Sequence, residues 1–256
     1  MKQRMNVFLI NLDRDSDRLA HMRGQLSGIA FERVAAIDGS NAPPTAKGLT
    51  RFELACLESH KTAWRRFLAG PSAHACFLED DLHVWPGFAA LVSSADWAPV
   101  DAHSIKLDTY LQPVELGQRR AAVGGRDLAR LHSRHQSSAA YILSRDGAAR
   151  YLELTAGDPA PADYALFPTH PDRAGLRIYQ LCPAVAIQDH LLRADEGRHG
   201  FVTAMRADQS AGSRRASPLK KLGRESGRLA GQGAGLIGWA YRKAVLRVET
   251  TTVGVG

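Results

Sequence analysis

The chain has 256 residues, an apolar fraction of 45% and a formal net charge of +7, which indicates one globular domain or one domain with an appendage. Its three cysteines (Cys56, Cys76 and Cys182) are widely spaced and odd in number, which excludes a disulfide framework and a CxxC metal motif. Buried free thiols are expected, and they fit a reducing compartment, the cytoplasm. Neither a signal peptide nor a membrane-spanning stretch is predicted.

The first third of the chain alternates apolar strands with amphipathic helices. Asn6 to Leu12 is a near-continuous apolar run that predicts a strand. A polar loop follows, after which Leu19, Met22 and Leu26 recur at helical spacing. By the same criteria the next elements are a strand at 31–37, a helix at 50–69, a strand at 75–78 and a helix starting at residue 88.

The rest of the body continues this alternation. Strands are predicted at 104–107, 139–143 and 185–187, and a helix at 145–154 with Ser144 as its N-cap. Strands that alternate with helices predict an α/β fold whose mostly parallel sheet has helices on both faces. The predicted body covers residues 1–204.

Residues 205–256 differ from the body in charge. From Ser213 to Gly256 there are nine Lys or Arg residues and two acids, a net charge of +7 that equals that of the whole chain. Leucines and a tryptophan are interleaved with these basic residues, which favours peripheral contact with the anionic inner membrane. The alternative is a flexible basic tail, because several glycines weaken any helix there. Nucleic acid is not expected as a partner, since the body has no basic face.

An acidic run follows the strand predicted at 75–78. Glu79, Asp80 and Asp81 repel one another at a strand end, where ligands of α/β proteins bind. Mg²⁺ or Mn²⁺ prefers such oxygen ligands and commonly bridges them to a diphosphate. The run therefore predicts a metal–diphosphate site, with an ordinary acidic turn as the alternative.

The loop after the first strand predicts an anion site. Arg14 and Arg18 lie four residues apart at a helix start, where guanidinium groups and free N–H groups suit phosphate. The alternative is a solvated helix start in which Asp15 and Asp17 pair with Arg18. The absence of GxGxxG and GxxxxGK[ST] argues against a dinucleotide site and a P-loop.

Seven segments, taken in order, resemble the motifs of glycosyltransferase family 25, which includes bacterial lipooligosaccharide galactosyltransferases. They include VFLINLDRDSDR, a helix with Cys56, Ser59, His60 and Trp64 at motif positions, and FLEDDLHVWPGF. The segments are 7–18, 31–39, 49–64, 77–88, 137–152, 161–167 and 178–190. No match is found for the chain after about residue 204.

The resemblance implies a GT-A-like nucleotide-binding fold and an inverting, β-1,4-galactosyltransferase-like activity. It implies a UDP-sugar donor, with galactose as the sugar, a lipid-linked saccharide acceptor, and Mn²⁺ or Mg²⁺ on the donor diphosphate. The donor residues it implies are Asn11, Arg14, Arg18, His60, Glu79 and Asp80. The alternative function is a non-catalytic relative that binds saccharide or nucleotide as a scaffold in envelope assembly.

The general base is expected to be a carboxylate on the acceptor side. Asp163, in a Pro-flanked loop that matches a family motif, is the first candidate, and an N-cap or turn role is its alternative. Asp108, after the strand at 104–107, is the second candidate. His190, after the last strand, is a candidate fourth metal ligand beside Asp81, Asp80 and Glu79. For His60, helix packing is an alternative to nucleotide contact.

Overall fold

The computed structural model describes residues 5–41, 49–121, 123–157, 159–201 and 248–256. The helices are α1 (Ser16–Gln25), α2 (Arg51–Ala69), α3 (Phe88–Ser93), α4 (Arg145–Leu154) and α5 (Ala162–Leu166). The strands are β1 (Asn6–Asn11), β2 (Glu32–Ala35), β3 (His74–Glu79), β4 (Leu82–Val84), β5 (Ser104–Lys106), β6 (Asp108–Thr109), β7 (Pro113–Leu116), β8 (Arg120–Ala121), β9 (Asp127–Arg130), β10 (Ala140–Ser144), β11 (Ile178–Cys182), β12 (Ala186–Gln188) and β13 (Glu249–Thr252). None of the helices in these ranges is long and apolar enough to cross a membrane.

A central sheet of eight strands has the order β2-β1-β3-β10-β5-β11-β9-β8. β1 is parallel to both β2 and β3, with Ile10 opposite Val34 on one side and Glu79 on the other. β10 runs antiparallel between β3 and β5, and β11 is parallel to β5. Two small sheets, β4-β12-β6 and β13-β7, flank it. The end of β1, the end of β3 and the start of β10 therefore meet at one edge.

Alternating side chains of the central strands build a hydrophobic core on each face of the sheet. Phe8 and Phe77 stack on one face with ring centroids 5.5 Å apart, and α2, α4 and α5 cover that face. Leu9 and Leu78 point to the opposite face, which α1 and α3 cover. The predicted α/β class, with helices on both faces, is confirmed.

Local sequence signals set the helix bounds. Thr50 caps α2 through a capping box, in which its side chain accepts from the Glu53 N–H while the Glu53 carboxylate accepts from the Thr50 N–H. Ser144 caps α4 by accepting from the Gly147 N–H. Both helices lie where the sequence predicts them.

The sheet is mixed, which corrects the expectation of a mostly parallel one. Three of its seven pairings are parallel and four are antiparallel within the described residues. The antiparallel pairings arise because β10 inserts between β3 and β5 and because β8 and β9 form a hairpin at one edge. The hairpin strands are too short to show an apolar alternation in sequence.

The end of the chain packs on the body. β13 pairs antiparallel with β7, and the buried Val253 carbonyl accepts from the Thr109 hydroxyl at 2.7 Å. The Ala184 N–H donates to the Gly254 carbonyl at 2.8 Å. Residues 248–256 are therefore part of the body, which corrects the expectation that all of 205–256 lies apart from it. Residues 202–247 lie outside the described residues, so the boundary near 205 and the membrane contact stay predictions.

The variant Val253→Ala tests this packing. Val253 is 3% exposed, and removing its two methyl groups is expected to cost about 2 kcal/mol of unfolding free energy. Val100→Ala is the matched control, because Val100 is fully exposed and its truncation leaves no cavity. Urea unfolding of both variants measures the difference, and equal midpoints would show that the C-terminal strand does not pack on the body.

Candidate active site

The acidic run lies at the sheet edge where β1 and β3 end. Glu79 is the last residue of β3, and Asp80 and Asp81 form the turn into β4. Ser138, two residues before β10, donates its hydroxyl to Glu79 Oε1 at 2.7 Å. Parallel β1 and β3 with antiparallel β10 thus gather polar groups from three segments at one point, as expected for a ligand site at strand ends.

Asp80 is held by one residue at the end of β1 and one in the first turn of α1. Asn11 Nδ2 donates to its Oδ2 at 2.7 Å, and the Arg18 guanidinium donates to its Oδ1 at 2.9 Å. Burial raises the pKa of the Asp80 carboxyl above its ordinary value, and the contacts from Arg18 and Asn11 offset part of that effect. The contact of Arg18 with Asp80, in place of the expected pairing with Asp15 and Asp17, is a finding of the structure.

Glu79 is the end of a buried chain of hydrogen bonds. The Trp64 indole N–H donates to the Tyr141 hydroxyl at 2.8 Å, and that hydroxyl lies 2.8 Å from His60 Nδ1. His60 Nε2 lies 3.2 Å from Glu79 Oε1. Because the carboxylate only accepts, Nε2 carries the proton and Nδ1 accepts from Tyr141. Burial acts to raise the pKa of Glu79, but the hydrogen bonds from His60 and Ser138 bring it below its ordinary value.

Asp81 is hydrogen-bonded by a neutral amide, whereas Asp80 is paired with the Arg18 cation. Its two oxygens accept from Gln188 Nε2 at 3.2 and 3.4 Å, and the same amide lies 3.3 Å from Glu79 Oε2. Burial, followed by the charges of Glu79 and Asp80, raises the pKa of Asp81 to about 7. One neutral amide thus bridges the buried Asp81 and the partly buried Glu79, and a bound cation would lower the free energy of the ionised pair.

A first cavity of about 380 Å³ opens on the β1 side of the acidic run. Arg14 lines it and is paired with Asp38, a residue that the sequence reasoning did not select. Arg18, Phe52 and His60 also contribute to the wall. A guanidinium at a helix start and an aromatic ring, in a wall of mixed apolar and polar side chains, suit a nucleotide.

A second cavity of about 280 Å³ lies on the other side of Glu79. Asp163, in the first turn of α5, lines it and accepts from the Arg134 guanidinium at 3.2 Å. That guanidinium lies over the Tyr164 ring, 3.1 Å from its centroid. Glu79 and Cys56 line both cavities, so the two form one cleft that is divided at the acidic run.

The second candidate base does not reach this cleft. Asp108 and Lys106 form an ion pair at 2.8 Å with both side chains fully buried, and Asp108 lines neither cavity. Burial raises the pKa of Asp108, and Lys106 offsets part of that effect. The expectation that Asp108 could serve as the base is therefore wrong for this conformation, because an acceptor hydroxyl cannot contact it.

The four predicted metal ligands do not converge. In the described ranges, the group nearest this site with three ligand atoms within 4.8 Å of one another is Cys56, His60 and Glu79. That trio does not suit an ion, because both His60 nitrogens are engaged and burial raises the pKa of the Cys56 thiol well above its ordinary value. His190 lines the second cavity beside Tyr110 instead. What fits Mn²⁺ or Mg²⁺ is the Glu79–Asp81 carboxylate pair.

Sequence reasoning missed several residues that shape the site. Gln188 lies 107 positions from Asp81, and Ser138 lies 59 from Glu79, so no local pattern links them. Both fall inside segments that resemble family motifs, which was the available signal. Arg134 lies outside those segments and carries no such signal.

Comparison with known proteins defines the class. The model of glycosyltransferase family 25 (LPS biosynthesis protein) matches residues 5–166. The lacto-N-neotetraose biosynthesis glycosyltransferase LgtB of Neisseria gonorrhoeae is 28% identical over 211 residues, which cover 72% of this chain and 75% of that protein. The lipooligosaccharide biosynthesis protein lex-1 of Haemophilus influenzae is 26% identical over 178 residues, or 65% of this chain and 58% of that protein.

A solved glycosyltransferase involved in the glycosylation of the major capsid of PBCV-1 gives a TM-score of 0.40 at 10% identity. The superposition covers 81% of this chain and 98% of that chain, and its TM-score is below the level that establishes a shared fold. The family match spans more than half of the chain and places it in the class of glycosyltransferases. The chain belongs to glycosyltransferase family 25, as its seven motifs predict.

Proposed function

We propose that this chain is a metal-dependent, inverting glycosyltransferase that transfers galactose from UDP-galactose to a lipooligosaccharide acceptor. One observation carries the proposal: two cavities meet at Glu79, which shares the Gln188 amide with the buried carboxylate of Asp81. A transferase needs a donor and an acceptor on opposite sides of the reacting carbon, and this cleft offers one cavity for each. The identities of the donor sugar and of the acceptor are inferred from the family resemblance.

The first cavity is proposed to bind the nucleotide. Arg14 is half-exposed at the helix start, where it can reach a phosphate or uracil oxygen. Arg18 and Asn11 hold Asp80 in place, and the chain from Trp64 to His60 holds Glu79. We therefore assign His60 to positioning Glu79, a role that differs from both helix packing and direct nucleotide contact. Such fixed groups lower the reorganisation needed at the moment of reaction.

The carboxylate pair is proposed to hold the metal ion. Glu79 and Asp81 are hard oxygen ligands, and among the described residues they accept hydrogen bonds from Gln188, His60 and Ser138. When bound, Mn²⁺ or Mg²⁺ would supply Lewis-acid stabilisation of the UDP leaving group. Asp80 is already paired with Arg18, so we assign it to orienting the turn.

The second cavity is proposed to bind the acceptor. Asp163 is part-exposed there, and its pairing with Arg134 at 3.2 Å orients it. In the transfer, the acceptor hydroxyl oxygen bonds to the anomeric carbon while the bond from that carbon to the UDP oxygen breaks. Asp163 accepts the hydroxyl proton, and attack from the face opposite UDP inverts the anomeric centre.

Arg18→Ala is expected to weaken UDP binding about ten-fold or more, because charge-assisted contacts contribute roughly 1.5–3 kcal/mol and Asp80 loses its partner. Arg23→Ala is the matched control, since Arg23 is an exposed arginine in the last turn of the same helix. Calorimetric titration of UDP in the presence of Mn²⁺ measures both. Equal affinities for the two variants would place Arg18 outside the donor site.

Release of UDP tests the function. Purified protein with Mn²⁺ is offered UDP-galactose, UDP-glucose and their N-acetyl forms, each with and without a lipooligosaccharide-type acceptor. Transfer from UDP-galactose that depends on both acceptor and metal is the expected result. Binding of UDP without turnover on any acceptor would instead favour the non-catalytic scaffold.

We also propose that the protein lies in the cytoplasm, on the inner membrane. A UDP-sugar donor is consistent with a cytoplasmic protein, and the basic segment from Ser213 is proposed to hold it on the anionic inner leaflet. Each Lys or Arg near such a surface contributes about 1 kcal/mol, and salt screens it. Full-length protein is therefore expected to sediment with anionic liposomes at low salt and to be released at high salt.

A further inference from the structure

Three histidines from distant parts of the chain meet on the α1 side of the sheet. His21 lies in α1, His83 lies in β4, and His199 follows the last 3₁₀ turn. One ring nitrogen of each lies within 4.8 Å of those of the other two. Their ring centroids are 4.6, 4.9 and 5.5 Å apart. Neither cavity of the active-site cleft is lined by these residues.

Two of the rings are fixed by hydrogen bonds that leave one nitrogen available. His21 Nε2 lies 2.7 Å from the Leu82 carbonyl oxygen, and His83 Nε2 lies 2.9 Å from Asp189 Oδ1. Since the carbonyl and the carboxylate only accept, both Nε2 atoms carry protons. In each neutral ring, Nδ1 therefore keeps its lone pair for another partner.

The third ring is placed by the same carboxylate. Asp189 is fully buried and accepts from the backbone N–H groups of His199, Gly200 and Phe201 at 2.6, 2.8 and 2.9 Å. Burial acts to raise the pKa of Asp189, but the hydrogen bonds from His83 and these N–H groups bring it below its ordinary value. A single ionised side chain thus orients His83 and anchors the backbone of His199.

We propose that His21, His83 and His199 bind a divalent transition-metal ion, with Zn²⁺ as the metal and water as its fourth ligand. Neutral imidazole suits zinc, and zinc-bound histidines commonly donate their other N–H to a carboxylate or a backbone carbonyl. Asp189 and Leu82 supply one of each. Tetrahedral ligands at zinc distance lie about 3.4 Å apart, so the three ring nitrogens, now within 4.8 Å of one another, would draw together on binding.

The site would join three segments that lie far apart in the sequence. His83 lies two residues after Asp81, so the ion would fix the strand that follows the acidic run. His199 precedes Phe201, whose ring packs 5.3 Å from that of His21 and under the Arg18 guanidinium. Zinc would therefore hold residues 199–201 against the body. This inference does not rest on the proposed function.

Zinc binding by the full-length protein tests the proposal. Chelator-stripped protein is titrated with Zn²⁺ by calorimetry and with Co²⁺ by visible absorption, whose intensity reports tetrahedral nitrogen ligation. One equivalent is expected to bind, and His199→Ala is expected to weaken binding at least ten-fold. His199 is exposed, so the His199→Ala variant should fold. His21→Gln provides a second variant that removes a zinc ligand. His170→Ala, another exposed histidine, is the matched control and should bind as the wild type does.

Two results would overturn the proposal. One is zinc affinity that is equal in His199→Ala, His21→Gln and wild type. The other is zinc binding that disappears in Asp81→Asn and persists in both histidine variants, which would place the ion on the carboxylate pair. Because these readouts need no donor or acceptor, they stay separate from the transferase assay.

Discussion

Asp81→Asn is expected to lower turnover by about 10³-fold or more while the protein stays folded. Electrostatic groups that stabilise a leaving group commonly contribute a factor of 10²–10³, and the loss of a metal ligand adds to this. Asn keeps the shape of the side chain but removes the charge that would hold the cation. Turnover with saturating UDP-galactose and Mn²⁺ measures the effect.

The unfolding temperature of this variant distinguishes a loss of catalysis from a loss of folding. Burial and the neighbouring carboxylates raise the pKa of Asp81 to about 7, so without a cation its ionised form is disfavoured in the folded protein. Asp81→Asn removes that unfavourable charge, and its unfolding temperature in chelator is expected to equal or exceed that of the wild type. Asp146→Asn, at an exposed site in α4, is the control. Full activity of Asp81→Asn that is still abolished by chelator would remove Asp81 from the metal site.

Asp163→Asn is expected to lower turnover by about 10²–10⁴-fold with little change in UDP affinity, the range for loss of a general base. Asn retains the hydrogen bond from Arg134 but cannot accept the hydroxyl proton. Activity should not be recovered at high donor concentration, because the loss lies in the chemical step.

Asp172→Asn is a close control for this variant. Asp172 is also a carboxylate paired with an arginine, Arg130, but it lines neither cavity of the cleft. Its variant should keep full turnover. If Asp163→Asn instead abolishes UDP binding and keeps turnover at saturation, Asp163 belongs to the donor side and the base is another residue.

Local signals in the sequence were enough for much of the fold. The capping box at Thr50 and the Ser144 cap begin α2 and α4 at the predicted residues, because capping depends on neighbours three positions apart. The acidic run was placed at a strand end by the apolar residues before it. The hydrogen bond from Asn11 to Asp80 was not predicted, because it depends on the pairing of β1 with β3, which are far apart in sequence.

The pairing of distant segments was not accessible in this way. β10 separates β3 from β5, and no residue pattern in Ala140–Ser144 indicates that this strand runs antiparallel to both neighbours. The same limit explains why Gln188 was missed and Asp108 was selected: burial and partners are set by chain segments far away in sequence. The three histidines were missed for the same reason, since 62 residues separate the first two and 116 the last two.

A crystal structure of the wild-type protein with UDP and Mn²⁺ tests the central claim most directly. The ion is expected on Asp81 and Glu79 in contact with the diphosphate, with the uridine in the cavity lined by Arg14 and Phe52. The second cavity, beside Asp163, should remain open for an acceptor. Uridine in that second cavity, or a diphosphate bound with no ion on the carboxylate pair, would contradict the account.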